Sequence, residues 1–303
     1  DCNRKYRIDI GVSIVLTAFQ LLHVRLKNRR ADLSKKTYVI TGATSGIGNT
    51  LVKEFCKNNT VFAGYRNEKY VDELEKLGAI PFYIDMEKKD SIAKAAAFIK
   101  SQTETIDTII NVAGCVVAGV MEKLDVNEIR KQFEINTFSH LDFTQRLLPL
   151  LVNGKIINIS SMASYGIFPF VGPYCASKRA LDILFNSMAI ESNIKVISVK
   201  PGVIATPLWG KSVQLNKKSI ENCKNHEKEM QYMVANAEKN EKNGLNVHKV
   251  TDLIVKIDSL DNPKSSYTVG NDAKFAQFVS KLPQDWINKL VKCGIKAKVS
   301  SVK

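Results

Sequence analysis

Thr37-Tyr38-Val39-Ile40-Thr41 runs straight into Gly42-Ala43-Thr44-Ser45-Gly46-Ile47-Gly48. The first five residues are all β-branched or aromatic and read as a strand. A helical pattern over Gly48–Lys57 follows the glycines. A strand, a glycine turn and a helix in succession form the phosphate-binding unit of a doubly wound α/β sheet. Glycine lets backbone approach a pyrophosphate, and the helix start offers free N–H groups and positive potential. Gly42, Ser45, Gly46, Ile47 and Gly48 are therefore expected to face a dinucleotide.

The rest of the chain repeats this rhythm. Val61–Gly64, Pro81–Ile84, Thr108–Asn111, Lys155–Ser160 and Lys195–Lys200 read as strands, with a long helix beginning near Pro173. Ser266–Asp272 reads as the last strand and its turn. Alternating strands and helices predict a Rossmann-type parallel sheet covered on both faces, in a single domain. Gly210–Lys249 breaks the rhythm with eight Lys and five Glu, a polar stretch that by itself reads as a surface insertion.

Tyr174 and Lys178 stand four residues apart in Tyr174-Cys175-Ala176-Ser177-Lys178, with Ser161 thirteen positions before the tyrosine. Residues four apart share a helix face, so an ammonium can sit beside a phenol. A free phenol has a pKa of about 10. Bringing it to roughly 7 takes about 4 kcal/mol of differential interaction with a neighbouring cation. A tyrosine so tuned can exchange a proton with an alcohol or carbonyl.

On these motifs the chain resembles the short-chain dehydrogenase/reductase family from about Lys36 to about Asp272. The glycine motif matches Thr41, Gly42, Gly46 and Gly48, and Asn111-Val112-Ala113-Gly114 matches the motif after the fourth strand, with Val112 where the family usually has a second Asn. Membership implies catalytic roles for Ser161, Tyr174, Lys178 and Asn136. Ser161 would hold the substrate oxygen and Tyr174 would act as acid or base. Lys178 would lower the tyrosine pKa and bind the nicotinamide ribose, while Asn136 would position a relay water. It also implies that Asp85 meets the adenine edge and that Asn111, Ala113 and Gly114 form a platform under the adenosine ribose. Pro201, Gly202, Val203 and Thr206 would close over the nicotinamide, and the polar stretch of about 207–249 resembles the family's lid over the substrate. The chain is most similar to membrane-associated retinol and hydroxysteroid dehydrogenases. Acyl-dihydroxyacetone phosphate or 3-oxo-lipid reductases are the alternative, and a non-catalytic nucleotide-binding scaffold is the rival from another class.

The end of the second strand, Gly64-Tyr65-Arg66, carries no carboxylate to bond a ribose 2′-hydroxyl. Arg66 can grip a 2′-phosphate, so NADP (NADPH) is expected over NAD. Beyond Ser161, Tyr165, Ile167, Phe168, Phe170 and Val171 form an apolar wall, with Leu208 and Trp209 at the lid entrance. Such a lining suits a lipophilic alcohol or ketone: a retinoid, a steroid or a keto-lipid. Packing under the lid and a subunit contact are the competing uses of that wall, the latter compatible with a homodimer.

Residues 1–36 hold nine Lys/Arg against three Asp, supplying +6 of a net charge of +14. No helix-turn-helix, zinc-finger spacing or basic strand with interleaved aromatics accompanies that charge, so nucleic acid is not an expected partner. The six scattered cysteines form no CxxC pair. That argues against a metal site and a disulfide framework and fits a reducing compartment. Gly11–Leu22 is mostly apolar and flanked by basic residues, while Asp9, Ser13, Gln20 and Lys27 fall on one helical stripe. Residues 1–35 are expected to associate with a membrane, as a short span or an interfacial helix. That places the enzyme at the endoplasmic reticulum or a lipid droplet with its catalytic domain, residues 36–303, in the cytosol.

Overall fold

A computed structural model describes residues 35–300 apart from 193 and 222, so the expected N-terminal membrane segment lies outside the described residues. The chain divides into Asp1–Lys36 and Thr37–Lys303, and the second unit carries the sheet.

Seven strands form one sheet in the order β3-β2-β1-β4-β5-β6-β7, every neighbouring pair parallel. They are β1 (Thr37–Ile40), β2 (Thr60–Tyr65), β3 (Ile80–Tyr83), β4 (Thr108–Asn111), β5 (Lys155–Ile159), β6 (Lys195–Pro201) and β7 (Ser266–Val269). Every expected strand is present within a residue or two of its expected bounds, except that β7 stops at Val269. Chain order reverses between β1 and β4. In such sheets the crevice outside the strands' C-terminal ends at this switch point receives the ligand.

The strands read as continuous apolar runs because both faces are buried. Their alternation divides neighbours between two cores. Val39, Ile109, Ile156 and Val196 face one, where α3 (Lys89–Gln102), α5 (Ser139–Leu147) and α6 (Gly172–Ser192) pack through Ile92, Phe143, Leu181 and Phe185. Ile40, Ile110, Ile157 and Ile197 face the other, covered by α1 (Gly46–Phe55) and α10 (His248–Ser259) through Leu51, Val52, Val250 and Ile254. The short α2 (Val71–Lys76) adds Leu74 to this second core. Asp258 fixes α10 to the sheet, accepting from Tyr38 Oη at 2.7 Å and Thr108 Oγ1 at 2.8 Å.

The polar stretch expected as a lid is helical: α7 (Leu208–Leu215), α8 (Lys217–Glu221) and α9 (Glu227–Asn243). Two helices follow β7, α11 (Asn271–Val279) and α12 (Gln284–Ser300), neither of which was anticipated. Between β4 and β5, α4 (Val126–Phe133) runs into a π-helical turn over Glu134–Phe138 before α5.

Candidate active site

The loop after β1 is tied to the loop after β4 by a buried hydroxyl. Thr41 Oγ1 accepts from the N–H groups of Val112 at 2.9 Å and Ala113 at 3.2 Å. Gly42 (φ +64°) faces that contact, and a Cβ there would lie 2.9 Å from the Ala113 backbone. A Cβ on Gly48 would stand 2.2 Å from the Gly42 carbonyl oxygen, so α1 can start this close to β1 only with glycine at 48. No side chain caps the start of α1, which leaves its first N–H groups available to an anion.

One cavity of about 780 Å³ extends from this loop across the C-terminal ends of the strands. Gly42, Ser45, Gly46, Ile47, Ala113 and Gly114 line its first part, with Val112. Pro201, Gly202, Val203 and Thr206 border it as well, and Thr206 Cγ2 would meet a Cβ on Gly46 at 3.1 Å. These residues and the uncapped helix fit a dinucleotide.

Its middle holds Ser161, Tyr174 and Lys178. The Ser161 hydroxyl stands beside the Tyr174 phenol and draws its pKa down. Ser161 Oγ also accepts from Ala163 N–H at 3.1 Å, capping the 3₁₀ turn Met162–Tyr165. Lys178, only 4% exposed, donates to the Ile159 carbonyl at 2.8 Å. Burial holds its pKa down at about 8 against the opposing pull of Asp182, one turn further on.

The expectation of a lowered phenol is corrected here. Burial pushes Tyr174 up to about 12, only partly offset by the Ser161 hydrogen bond. The ammonium that was to lower it is itself desolvated and turned to the β5 carbonyl. Tyr174 is thus a protonated acid at neutral pH.

Asn136 sits in the π turn, a form frequent at functional sites. Its Oδ1 accepts from Cys115 N–H at 2.9 Å, and its Nδ2 donates to Cys115 O at 2.9 Å and Ser177 Oγ at 3.0 Å. The side chain is therefore a clamp on the loop beyond Gly114, beside Lys178, rather than the free amide a relay water would use. The buried side chain of Asn111 donates to Asn158 Oδ1 at 2.8 Å and Thr144 Oγ1 at 3.2 Å, joining β4, β5 and α5 and leaving its backbone for the platform. What meets the cavity from this motif is Val112, Ala113 and Gly114.

Arg66 and Asp85 lie outside the cavity lining, beyond β2 and β3. Arg66 is exposed and 3.6 Å from Glu87 Oε1, whose other oxygen is 3.1 Å from Lys131 Nζ. Asp85 accepts from Glu87 N–H at 3.1 Å. A carboxylate thus does stand at Arg66, contributed by Glu87 after β3 and flanked by two cations. Position 87 could not be placed there from the end of β2 alone.

Four contributors escaped the sequence reading. His140, fully buried, lies 2.8 Å from the Ala113 carbonyl through Nε2 and supports the platform from below. Burial and the Lys178 charge hold it neutral, with a pKa of about 3. Asp272 Oδ2 accepts from Val203 N–H at 2.7 Å and Oδ1 from Ala273 N–H at 2.9 Å, pinning the turn after β6. Glycine at 202 leaves room for this carboxylate, since a Cβ would lie 2.0 Å from Asp272 Oδ1 and push it aside. Lys211 reaches from α7 to Ser45 Oγ at 3.4 Å, over the glycine loop. Buried Lys200 pairs with Asp182 at 2.9 Å and lies 4.6 Å from the ring centre of Tyr165, whose hydroxyl meets Thr268 Oγ1 at 2.5 Å. None carries a local motif; each meets the site through a long-range contact.

The far wall is apolar. Tyr165, Ile167, Phe168, Phe170 and Val171 line it with Leu208 and Trp209, as expected, and α12 adds Ile287, Val291 and Ile295. Phe170 holds φ at +66°, a strained conformation for a bulky residue, with its carbonyl accepting from Gly119 N–H at 2.8 Å. Trp209 Nε1 donates to Ile204 O at 2.8 Å and anchors α7 beside the turn after β6.

The short chain dehydrogenase family model matches residues 36–217. The chain belongs to this family. It is an oxidoreductase, and the nicotinamide dinucleotide is the cofactor of the family. It is 30% identical to the NADPH-dependent 3-dehydrocapnine reductase of Ornithobacterium rhinotracheale, over 57% of this chain and 67% of that protein. It is 29% identical to estradiol 17-beta-dehydrogenase 11 of Mus musculus, over 58% of this chain and 64% of that protein. The chain thus spans about two thirds of each relative's length. A crystal structure of a short-chain dehydrogenase from Streptomyces avermitilis shares the fold, with a TM-score of 0.69 and 22% identity, over 88% of this chain and 98% of that one.

Proposed function

We propose that the protein is an NADPH-dependent reductase of a lipophilic ketone, interconverting it with the alcohol. The observation that carries this reading is the continuity of one cavity. The glycine loop lies at one end, the Ser161–Tyr174–Lys178 group in the middle and an apolar wall at the other. Gly42, Ser45, Gly46, Ile47 and Gly48 would hold the pyrophosphate with the first N–H groups of α1. Ala113 and Gly114 would lie under the ribose, and Val203 and Thr206 beside the carboxamide. Bound there, NADPH supplies hydride to the carbonyl carbon.

Ser161 and Tyr174 both donate to the substrate oxygen, and the Tyr174 proton neutralises the charge that develops on it. A phenol held protonated by burial suits reduction. Lys178, held by the Ile159 carbonyl, would bind the ribose hydroxyls. Arg66, with Lys131 nearby, favours a 2′-phosphate, while Glu87 tempers that preference. Two relatives, named for 3-dehydrocapnine and estradiol, support a keto-lipid or steroid substrate, and a retinoid or another 3-oxo-lipid belongs to the same class. Residues 1–35 form a separate membrane-associating segment at the endoplasmic reticulum or a lipid droplet, with the catalytic domain cytosolic and a lid over about 207–249. Liposome co-sedimentation of the full chain tests that segment.

The deciding experiment follows NADPH oxidation spectrophotometrically against a panel of steroid ketones, retinaldehyde and 3-oxo-lipids. Turnover of at least one, abolished by Tyr174→Phe while NADPH still binds, is expected. NADPH bound without turnover of any carbonyl would favour a nucleotide-binding scaffold instead.

A further inference from the structure

The helices after β7 carry a surface that the reaction does not use. Phe275 and Phe278 on α11 are 69% and 64% exposed, and Trp286 and Leu290 on α12 are 61% and 56% exposed. These four are among the most exposed large apolar side chains described, on two helices consecutive in the chain. Isolated exposed apolar residues are ordinary, but a contiguous patch on the order of several hundred Å² marks an interaction site.

Spacing along α12 separates two apolar faces. Ile287, Val291 and Ile295, four residues apart, turn inward and line the cavity. Trp286, Leu290, Cys293 and Ala297 recur at i, i+4, i+7 and i+11 and therefore share a second face, directed outward. Lys289, Lys292 and Lys296 flank this outer stripe, and each is exposed. Residues 273–300 hold six lysines against one aspartate. Among the described residues no helix is long and apolar enough to cross a membrane. An apolar stripe with an aromatic residue, bordered by lysines on a helix that does not span, is the composition of a helix lying in a lipid interface.

We propose that α11 and α12 form a docking surface for an anionic lipid membrane, set at the mouth of the substrate cavity. Phe275 connects the two, because it lines the cavity and is also exposed on the patch. A lipophilic molecule dissolved in that membrane would then enter without crossing water. Charge selects lipid over a second copy of the chain: a symmetric contact would bring two lysine-rich faces together, and like charges in apposition oppose association. An anionic leaflet instead attracts each lysine. The inference rests on neither the substrate class nor the behaviour of residues 1–35.

The test uses the full chain and the emission of Trp286, one of two tryptophans, with Trp286→Phe supplying the Trp209 background. Vesicles of brominated phosphatidylcholine with about 30 mol% phosphatidylserine should quench Trp286 roughly twofold and shift its emission to the blue. The same vesicles without phosphatidylserine should quench it less. Lys289→Glu/Lys292→Glu/Lys296→Glu should reduce the quenching at matched lipid, and Phe278→Ser/Leu290→Ser should act in the same direction. Three outcomes overturn the proposal. The chain can fail to bind anionic vesicles, or bind while Trp286 stays unquenched, as an anchor elsewhere would produce. Trp286 can also become shielded with rising protein concentration in the absence of lipid, which assigns the face to a second copy.

Discussion

At the residue scale, Tyr174 and Lys178 depart furthest from the simple picture of a cation lowering a neighbouring phenol. Lys178 is buried and Tyr174 half-buried at the cavity, and loss of water acts oppositely on an acid and a base: it lifts Tyr174 to about 12 and depresses Lys178 to about 8. Tyr174→Phe should lower kcat by at least about a hundredfold, the usual contribution of a positioned acid, and leave NADPH affinity nearly unchanged. Single-turnover kinetics with calorimetric titration separate the two effects. Because Lys178 loses its charge near pH 8, NADPH affinity should decline as pH rises through that value, and Lys178→Met should remove the transition. Arg66→Ala should weaken NADPH binding by about 1.5–3 kcal/mol, the range for a hydrogen bond to a charged group, and barely affect NADH. Tighter binding of NADH than NADPH by the parent protein would assign Arg66 to Glu87 alone.

At the element scale, the site is assembled by turns that distant elements hold. The turn after β6 is shaped by Asp272 from the start of α11, which caps Val203 N–H and occupies the space that Gly202 leaves open. Asp272→Ala removes that acceptor without touching the catalytic group. It should raise the KM for the cofactor several-fold with a smaller effect on kcat, the pattern of lost positioning. Equal losses in both would mean that Asp272 acts on the chemical step. The platform after β4 is supported by His140 on α5, whose neutral form is required by burial. An unfolded histidine titrates near 6.5, and in the fold this one titrates near 3. The unfolded chain therefore takes up the proton first as pH falls. Stability from this residue is complete above about 6.5 and is lost progressively towards 3. Urea unfolding of the parent protein and His140→Gln should show a shallower loss below pH 6.5 in the variant.

At the scale of the whole molecule, a single cavity joins loops from both halves of the sheet, so a ligand filling it clamps the fold. NADPH at a hundred times its Kd should stabilise the protein by about 2.7 kcal/mol, read by denaturant titration with and without cofactor. Stabilisation far below that would mean the glycine loop does not take up the dinucleotide. The strands, the glycine loop and the four-residue spacing of Tyr174 and Lys178 were legible in the sequence because each rests on a local pattern. Short continuous apolar runs, a glycine turn between strand and helix, and a four-residue helical repeat all report their geometry to a reader of the chain alone. The rest depended on contacts between residues tens to hundreds of positions apart, which no local pattern encodes. His140 under Ala113, Asp272 on Val203, Glu87 between Arg66 and Lys131, and the inward face of α12 are of this kind. So is the tyrosine pKa. The sequence by itself determined which groups meet on one helix face, whereas only the tertiary structure decided how much water surrounds them, and desolvation there outweighs the pull of the Ser161 hydroxyl on the phenol.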